Sequence, residues 1–157
     1  MLRIGVLGVG HLGKIHLRCL QDLPEQFELV SFFDHQMAAA KEAMELTGLM
    51  PSHSVEHLLE QVDAVVITVP TLSHYKMAIQ AVRQFKQVFI EKPVCADMEE
   101  ARSLLKLVRE AQVTCQVGHI ERFNPVYTAA IPFISNPSFI ECRRLMPSHH
   151  RGLDVSV

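Results

Sequence analysis

The sequence has little net charge, because its 15 lysines and arginines and 17 aspartates and glutamates sum to a formal charge of −2. A nucleic-acid-binding surface needs a basic patch or stripe, and the sequence has none, so we expect no nucleic-acid partner. No apolar run approaches the roughly 18 residues needed to span a bilayer, so we expect no membrane segment. The N-terminus enters a strand pattern directly, without the regions of a signal peptide. Together these absences predict a cytoplasmic protein.

Paired cysteines are also missing. The chain has four widely spaced cysteines and no Cys-x-x-Cys pair: Cys19, Cys95, Cys115 and Cys142. This spacing predicts reduced and mostly buried thiols in a cytosolic protein. His149 and His150 are adjacent, and adjacent histidines do not easily share one ion, while no third ligand is placed by spacing. We therefore expect no metal site.

The sequence does contain a regular alternation of strand-like and helix-like segments. The predicted strands are residues 2–7, 27–33, 64–69, 88–90 and 114–117. Helical patterns lie between them at 12–23, 36–47, 54–61 and 72–85, and a capping box at 97–100 opens a further helix. Several strands are apolar on both faces, which is typical of a parallel sheet covered by helices on each side. The predicted fold class is therefore α/β, a doubly wound parallel sheet of the Rossmann type.

Apolar spacing also predicts which side of two helices is buried, because a helical period of about 3.6 places such residues on one face. In the first helix the predicted face comprises Leu12, Ile15, Cys19, Leu20 and Leu23. In the helix opened by the capping box it comprises Ala101, Leu104, Leu105, Val108 and Ala111.

The alternating rhythm ends after Gly118. Prolines 125, 132 and 137 punctuate the next segment, where we predict a short helix over 125–134 and a strand over 139–145. The last residues resemble the start of another element, so we expect that the chain stops inside a second domain. The predicted organisation is a Rossmann domain at 1–120 and the truncated start of an α+β domain at 121–157.

A glycine-rich segment, Gly8-Val9-Gly10-His11-Leu12-Gly13, joins the first strand to the first helix. Gly8 permits the tight turn, Gly10 lets the backbone approach a pyrophosphate, and Gly13 lets the helix pack close to the sheet. The anion then lies on amide groups at the helix N-terminus. The alternative is a tight turn without a ligand, but the position between a strand and a helix favours a dinucleotide site.

Asp34 closes the second predicted strand, roughly 20 residues after the last glycine, where an acid accepts hydrogen bonds from the adenosine ribose. A carboxylate at this position repels a 2′-phosphate. No arginine follows it, since the next residues are His35 and Gln36. The predicted cofactor is therefore NAD rather than NADP.

Two further motifs follow strands at the edge where open α/β sheets bind ligands. The first is Thr68-Val69-Pro70-Thr71 with His74, which either contacts the nicotinamide half of the cofactor or is a surface histidine in a first helical turn. The second is Glu91-Lys92-Pro93, in which Lys92 either lies over the crevice, suited to exchange a proton with a substrate hydroxyl, or is simply solvated.

A third polar group, His119, Glu121, Arg122 and Asn124, follows the fifth predicted strand. It has two interpretations: contact with nicotinamide or substrate, or a polar hinge between domains.

Together these motifs resemble the Gfo/Idh/MocA oxidoreductase family, and the resemblance covers residues 1–124 well. It is carried by the glycine loop, by 68–71 with His74, by Glu91-Lys92-Pro93 as the most specific element, and by Val117-Gly118-His119. The resemblance implies that Lys92 is the catalytic lysine and that its bond to Pro93 is cis. The cofactor-binding residues predicted in this way are Gly8, Val9, Gly10, His11, Leu12, Gly13, Asp34, Thr68, Pro70, Thr71, His74, Glu91, Lys92 and Arg122.

Within the family, segments 117–125 and 151–157 look like the branch that acts on UDP-N-acetylglucosamine and related nucleotide sugars. Such enzymes oxidise the sugar 3-hydroxyl to a ketone and transfer a hydride to NAD. Family members usually run to more than twice this length. Their second domain binds substrate, mediates homo-oligomerisation, and carries an Asp and a His expected just beyond Val157. The resemblance therefore implies a cofactor-binding part that is inactive alone.

Three functions remain open from the sequence. The first is the NAD-binding part of an oxidoreductase for a sugar, in particular a nucleotide sugar. The second is a short, non-catalytic NAD sensor or regulatory module. The third is a reductase of the same superfamily with a different substrate, such as biliverdin or a dihydrodiol. The reading frame beyond Val157 separates the first two.

Overall fold

The computed structural model of this protein describes residues 1–141 and residue 143. They divide into two units, one formed by Met1–Gly118 and the other beginning at His119. The strands of the first unit are β1 (Leu2–Leu7), β2 (Phe27–Phe33), β3 (Ala64–Ile67), β4 (Gln87–Glu91) and β5 (Cys115–Gly118). Its helices are α1 (His11–Gln21), α2 (Met37–Thr47), α3 (Val55–Gln61), α4 (His74–Arg83) and α5 (Met98–Ala111). No helix among the described residues is long and apolar enough to cross a membrane.

The five strands form one parallel sheet in the order β2-β1-β3-β4-β5, which confirms the predicted α/β doubly wound fold. The chain leaves β1 towards β2 on one side and then returns to place β3 on the other side of β1. In such sheets this reversal opens a crevice at the carboxyl ends of the strands, where ligands bind. The register pairs Leu7 with Ile67 and Ile67 with Ile90, so the residues that follow β1, β3 and β4 share one edge.

Each face of the sheet has its own core, because side chains alternate between the two faces along a strand. On one face, Phe32 and Val66 pack with Leu17 of α1 and with α2. On the other face, Ile67 and Ile90 pack with α3, α4 and α5. Phe89 and Glu91 flank Ile90 in β4 and therefore point to the opposite face of the sheet, the one that α1 covers.

The buried side of α1 differs from the sequence prediction. The buried residues are Gly13, Leu17 and Leu20. The other predicted members are exposed: Leu12, Ile15, Cys19 and Leu23. The close approach of Gly13 to the strand end fixes the rotation of the helix, so that residues four and seven positions later face the sheet. In α5, likewise, Leu105 is half exposed, and Leu107 packs against the core instead.

Several boundaries also differ from prediction. The helix predicted over 72–85 begins at His74, because Thr71–Ser73 form a 3-10 turn. The helix predicted over 125–134 is divided into α6 (Pro125–Ala130) and a 3-10 turn (Ile131–Phe133), since Pro132 offers no N–H for an α-helical bond.

The strand predicted over 139–145 is not formed at 139–141 or 143, which are exposed and have no pairing strand among the described residues. A strand needs a neighbour to satisfy its backbone groups. The other residues of that segment, and His149 and His150, lie outside the described residues.

The thiols of the first unit differ in exposure, and this predicts their reactivity. Burial raises the pKa of the Cys95 thiol to about 11, and it also raises the pKa of Cys115. Cys19 is exposed on α1. Because the thiolate is the reactive form, we expect iodoacetamide at pH 8 to alkylate Cys19 first and Cys95 only after denaturation. Peptide mass spectrometry measures both, and equal labelling rates in the folded protein would contradict the assigned burial.

Candidate functional site

The three glycines of the loop after β1 have different surroundings. Gly8 has φ +87°, and a Cβ there would lie 2.7 Å from the Val69 nitrogen. A Cβ at Gly13 would lie 2.0 Å from the Gly8 carbonyl oxygen. At Gly10, by contrast, no described heavy atom lies within 4 Å of the Cβ position. The fold therefore requires glycine at 8 and 13, whereas at Gly10 it leaves open space that a ligand can fill.

The N-terminus of α1 points into that open space. Gly10 is the N-cap residue, no described side chain caps it, and the first turn contains no acidic residue. His11 and Leu12 follow as exposed residues, while the Val9 side chain is fully buried and offers only its backbone. A helix N-terminus carries partial positive charge and amide donors that suit an anion. The loop therefore fits the pyrophosphate of a dinucleotide.

Asp34 ties the end of β2 to this loop. One carboxylate oxygen accepts the Val9 N–H at 2.7 Å, and the other accepts the Gln36 N–H at 2.8 Å. The side chain is only 9% exposed, with His35 Nδ1 3.5 Å away. Each carboxylate oxygen has a second lone pair, so the group can accept further hydrogen bonds from a ribose.

Thr68 holds the glycine loop from the β3 side. Its hydroxyl donates to the Gly8 carbonyl at 2.5 Å, and its backbone N–H donates to the Leu7 carbonyl at 2.8 Å. Pro70 follows as an exposed residue, and Thr71 is buried at the start of the 3-10 turn. The sequence predicts cofactor contacts for all three; the structure shows that Thr68 also has a structural role beneath the loop.

His74 is buried, with 2% of its surface exposed. Its Nδ1 lies 2.8 Å from the Pro93 carbonyl and its Nε2 lies 2.8 Å from the Val69 carbonyl. The ring thus connects the segments that follow β3 and β4. Contact of His74 with the cofactor stays a prediction, and the positions of its ring nitrogens favour a supporting role.

Glu91 and Lys92 lie at the end of β4 and have opposite environments. The Glu91 side chain is buried on the α1 face, where its Oε1 lies 2.8 Å from His16 Nε2 and its Oε2 accepts the Lys92 N–H at 3.2 Å. Lys92 is exposed at the ligand edge, and its peptide bond to Pro93 is cis, as the family resemblance implies. Glu91 therefore supports Lys92 from below the edge, and direct contact with a cofactor stays a prediction for it.

Sequence reasoning assigned no role beside Glu91 to two residues of this arrangement, His16 and Gly118. His16 comes from the second turn of α1, three residues after Gly13. Gly118 pairs with Glu91 across β4 and β5, and a Cβ there would lie 3.0 Å from the Glu91 carboxylate. Side chains alternate between the two faces along β4, and this pattern places Glu91 on the face that α1 covers. It is the sequence signal that could have linked Glu91 to His16.

The polar residues after β5 belong to the second unit. Ile120–Phe123 form a 3-10 turn, and Asn124 caps α6 by accepting the Val126 N–H at 3.0 Å. Arg122 is exposed, and its predicted contact with the cofactor stays a prediction. Within the described residues, no group of three or more His, Cys, Asp or Glu side chains is arranged to hold a metal ion.

Residues 2–119 match the family model described as "Oxidoreductase family, NAD-binding Rossmann fold", with the designation GFO_IDH_MocA. The chain is 35% identical over 161 residues to the UDP-N-acetylglucosamine 3-dehydrogenase of Acidithiobacillus ferrooxidans, covering 99% of this chain and 49% of that protein. It is 36% identical over 132 residues to the scyllo-inositol 2-dehydrogenase (NAD(+)) of Bacillus subtilis, covering 82% and 39%. The chain thus spans less than half the length of these curated relatives.

A solved structure shows the same fold. The scyllo-inositol dehydrogenase of Lactobacillus casei, described with bound NAD(H) and scyllo-inositol, superposes with a TM-score of 0.78. Its sequence identity is 25%, and the match covers 85% of this chain and 40% of that one. These matches confirm the predicted NAD-binding Rossmann domain and the predicted resemblance.

Proposed function

The chain belongs to the Gfo/Idh/MocA oxidoreductase family, and from this premise we propose that it is the NAD-binding part of an enzyme that oxidises a sugar hydroxyl, in particular that of a nucleotide sugar such as UDP-N-acetylglucosamine. The observation that carries the proposal is the position of Lys92. It stands exposed at the carboxyl end of β4, on the same sheet edge as the glycine loop and Asp34. The identity to the UDP-N-acetylglucosamine enzyme extends over 99% of the chain and supports the choice of substrate class.

The residues at this edge of the sheet have different roles in such a reaction. NAD supplies the hydride acceptor when it is bound. The N-terminus of α1 binds the pyrophosphate, and Asp34 binds the adenosine ribose. Lys92 takes the proton of the substrate hydroxyl during oxidation and returns it in the reverse reaction. The buried residues below Lys92 keep the side chain at the edge of the crevice.

Binding and turnover test this proposal separately. Calorimetric titration of the purified 157-residue chain should show NAD binding, and no UDP-sugar should be oxidised by it. Where the reading frame continues past Val157, the longer product should form NADH with UDP-N-acetylglucosamine. NADH formation with inositols alone would contradict the nucleotide-sugar assignment. NAD binding without turnover of any sugar by either product would favour an NAD-sensing module.

The same proposal includes a small-molecule sugar partner, a homo-oligomer and a cytoplasmic location. Support for the first comes from relatives that are named for sugar or inositol substrates. Gel filtration with light scattering tests the oligomer, and a fluorescent fusion tests the location.

Gly10 offers a way to remove cofactor binding without disturbing the fold. Because no described atom lies within 4 Å of its Cβ position, a methyl group in Gly10→Ala meets only the space proposed for the pyrophosphate. We expect a loss of stability below about 1 kcal/mol, as for an alanine N-cap. We expect NAD affinity to fall about tenfold or more, which is 1.4 kcal/mol or more. Calorimetry and urea unfolding measure the two effects, and unchanged affinity would contradict the assigned site.

Asp34 should set the preference for NAD over NADP through its charge. Asp34→Asn keeps one oxygen, which can accept the Val9 N–H, but it loses the acceptor for the Gln36 N–H and removes the charge that repels a 2′-phosphate. We expect the ratio of NAD affinity to NADP affinity to fall about tenfold. Asp22→Asn is the matched control, because it removes the same charge at the exposed C-terminus of α1. An equal change in both variants would mean that net charge, not the site, sets the preference.

A further inference from the structure

Two histidines contact the Glu91-Lys92-Pro93 segment from opposite faces of the sheet. His16 belongs to α1, which packs on one face, and His74 begins α4, which packs on the other. Neither contact is made with Lys92 itself. One reaches the residue before it and the other reaches the residue after it, so the lysine lies between two fixed points.

The contact from the α1 face is made through a buried carboxylate. Glu91 is 7% exposed, and burying a carboxylate is costly unless hydrogen bonds compensate. His16 Nε2 lies 2.8 Å from one oxygen, and the Lys92 N–H lies 3.2 Å from the other. The His16 ring also packs edge-on against Phe89, with ring centroids 5.4 Å apart. Gly118 leaves the room that the carboxylate occupies. Glu91 therefore links α1 to the backbone of Lys92.

The contact from the α4 face links two strand ends. His74 spans the carbonyls of Val69 and Pro93, each at 2.8 Å from a ring nitrogen. A neutral imidazole has one N–H and donates to one of these carbonyls, whereas an imidazolium donates to both. The ring therefore holds the residue after Lys92 when Nδ1 donates to the Pro93 carbonyl, and it bridges that residue to the end of β3 when both ring nitrogens donate. The position of Lys92 is then set relative to β3 as well as to α1.

We propose that His16 and His74 are positioning residues that hold Lys92 in register with the glycine loop, one from each face of the sheet. The inference rests on the proposed function, in which Lys92 exchanges the substrate proton. The N-terminus of α1 is also the proposed pyrophosphate site, so His16 connects cofactor and lysine through one rigid helix. A displacement of about 1 Å at a reacting group can cost about 10²-fold in rate, so loss of either contact should lower kcat more than it changes KM for NAD.

The first test follows the Lys92 amide in the 157-residue chain by hydrogen exchange and NMR. His16→Ala removes the donor to Glu91, which frees the carboxylate to move away from the Lys92 N–H. We expect this amide to exchange about tenfold faster, a loss of about 1.4 kcal/mol of protection. His16→Gln offers an amide donor in place of the ring and should restore most of the protection. His53→Ala, which removes an exposed histidine beside α3, is the matched control and should leave it unchanged.

The second test measures turnover in the longer product, where one exists. His16→Ala and His74→Ala should each lower kcat about tenfold or more, with KM for NAD within about threefold of its starting value. If His74→Ala does not fold, His74→Gln provides a milder change at the same position, because its amide N–H can donate to a backbone carbonyl. Unchanged exchange and unchanged kcat in folded His16→Ala would overturn the proposal. Failure of the unsubstituted chain to bind NAD would instead refute the proposed function, so the two failures are distinguishable.

Discussion

Gly13→Ala is expected to cost the first unit more stability than Gly48→Ala or Gly10→Ala. The added Cβ would lie 2.0 Å from the Gly8 carbonyl oxygen and 3.0 Å from Thr68 Oγ1. The nearest atom belongs to the backbone, so relief requires α1 to move away from the strand end. Overpacking a close contact costs about 1–3 kcal/mol and occasionally more, and we expect a value of about 3 kcal/mol or above. Urea unfolding followed by far-ultraviolet circular dichroism measures this loss.

Two other glycines provide matched comparisons for that loss. Gly48 has φ +72° and no described atom within 4 Å of its Cβ position, so Gly48→Ala measures the cost of a left-handed backbone alone, about 1–2 kcal/mol. Gly10→Ala has neither the strain nor the clash. The expected order of destabilisation is Gly13, then Gly48, then Gly10. If Gly13→Ala is as stable as Gly48→Ala or more stable, α1 can move away from the strand end with little loss of stability, which would contradict the expected order.

Lys92→Ala is expected to remove nearly all turnover from an enzyme that contains this chain. The substitution takes away the only amine that we place at the substrate hydroxyl, and loss of a positioned acid–base group typically lowers kcat by about 10²–10⁴-fold. KM for NAD should change much less, because the glycine loop and Asp34 remain. Steady-state kinetics with a UDP-sugar, following NADH absorbance, measures both constants.

Two further lysine variants separate proton transfer from charge. Lys92→Arg retains a positive charge but introduces a guanidinium, which does not deprotonate in proteins, so we expect it to stay inactive. Lys106→Ala removes a lysine from the exposed side of α5, where its side chain is 79% exposed, and should leave kcat unchanged. Activity near the starting value in Lys92→Arg would mean that Lys92 contributes charge rather than a proton.

The sheet and its ligand edge could be predicted from sequence because both depend on local patterns. Short apolar runs mark the strands, and polar or glycine residues after them fall at one edge once the strands are parallel. In this way the positions of Gly8, Asp34, Thr68 and Lys92 follow from the order of residues along the chain. The cofactor follows as well, because a glycine loop between a strand and a helix has few other uses.

The rotation of helices and the contacts beneath the edge could not be predicted in that way. The outer side of α1 carries as many apolar residues as its buried side, and the contact at Gly13, not hydropathy, decides which side faces the sheet. His16 and Glu91 are 75 positions apart, and no spacing rule links a helix residue to a strand residue at that distance. The sequence therefore predicts cofactor contacts for Glu91 and His74 but not the protein partners that the structure gives them.

The glycine loop is held by hydrogen bonds within the protein itself: Asp34 accepts the Val9 N–H, and the Thr68 hydroxyl donates to the Gly8 carbonyl. Ordering a backbone residue costs about 1–2 kcal/mol of conformational entropy. Because these loop residues are ordered when the protein folds, the cost is part of the folding free energy and not of the binding free energy. Association should therefore be fast and leave the loop amides nearly unmoved. The ligand should raise the melting temperature by mass action, and the size of the rise depends on the ligand concentration relative to Kd. Loss of either hydrogen bond would transfer part of this entropic cost to association, so affinity would weaken by more than the loss of any contact between that side chain and the ligand.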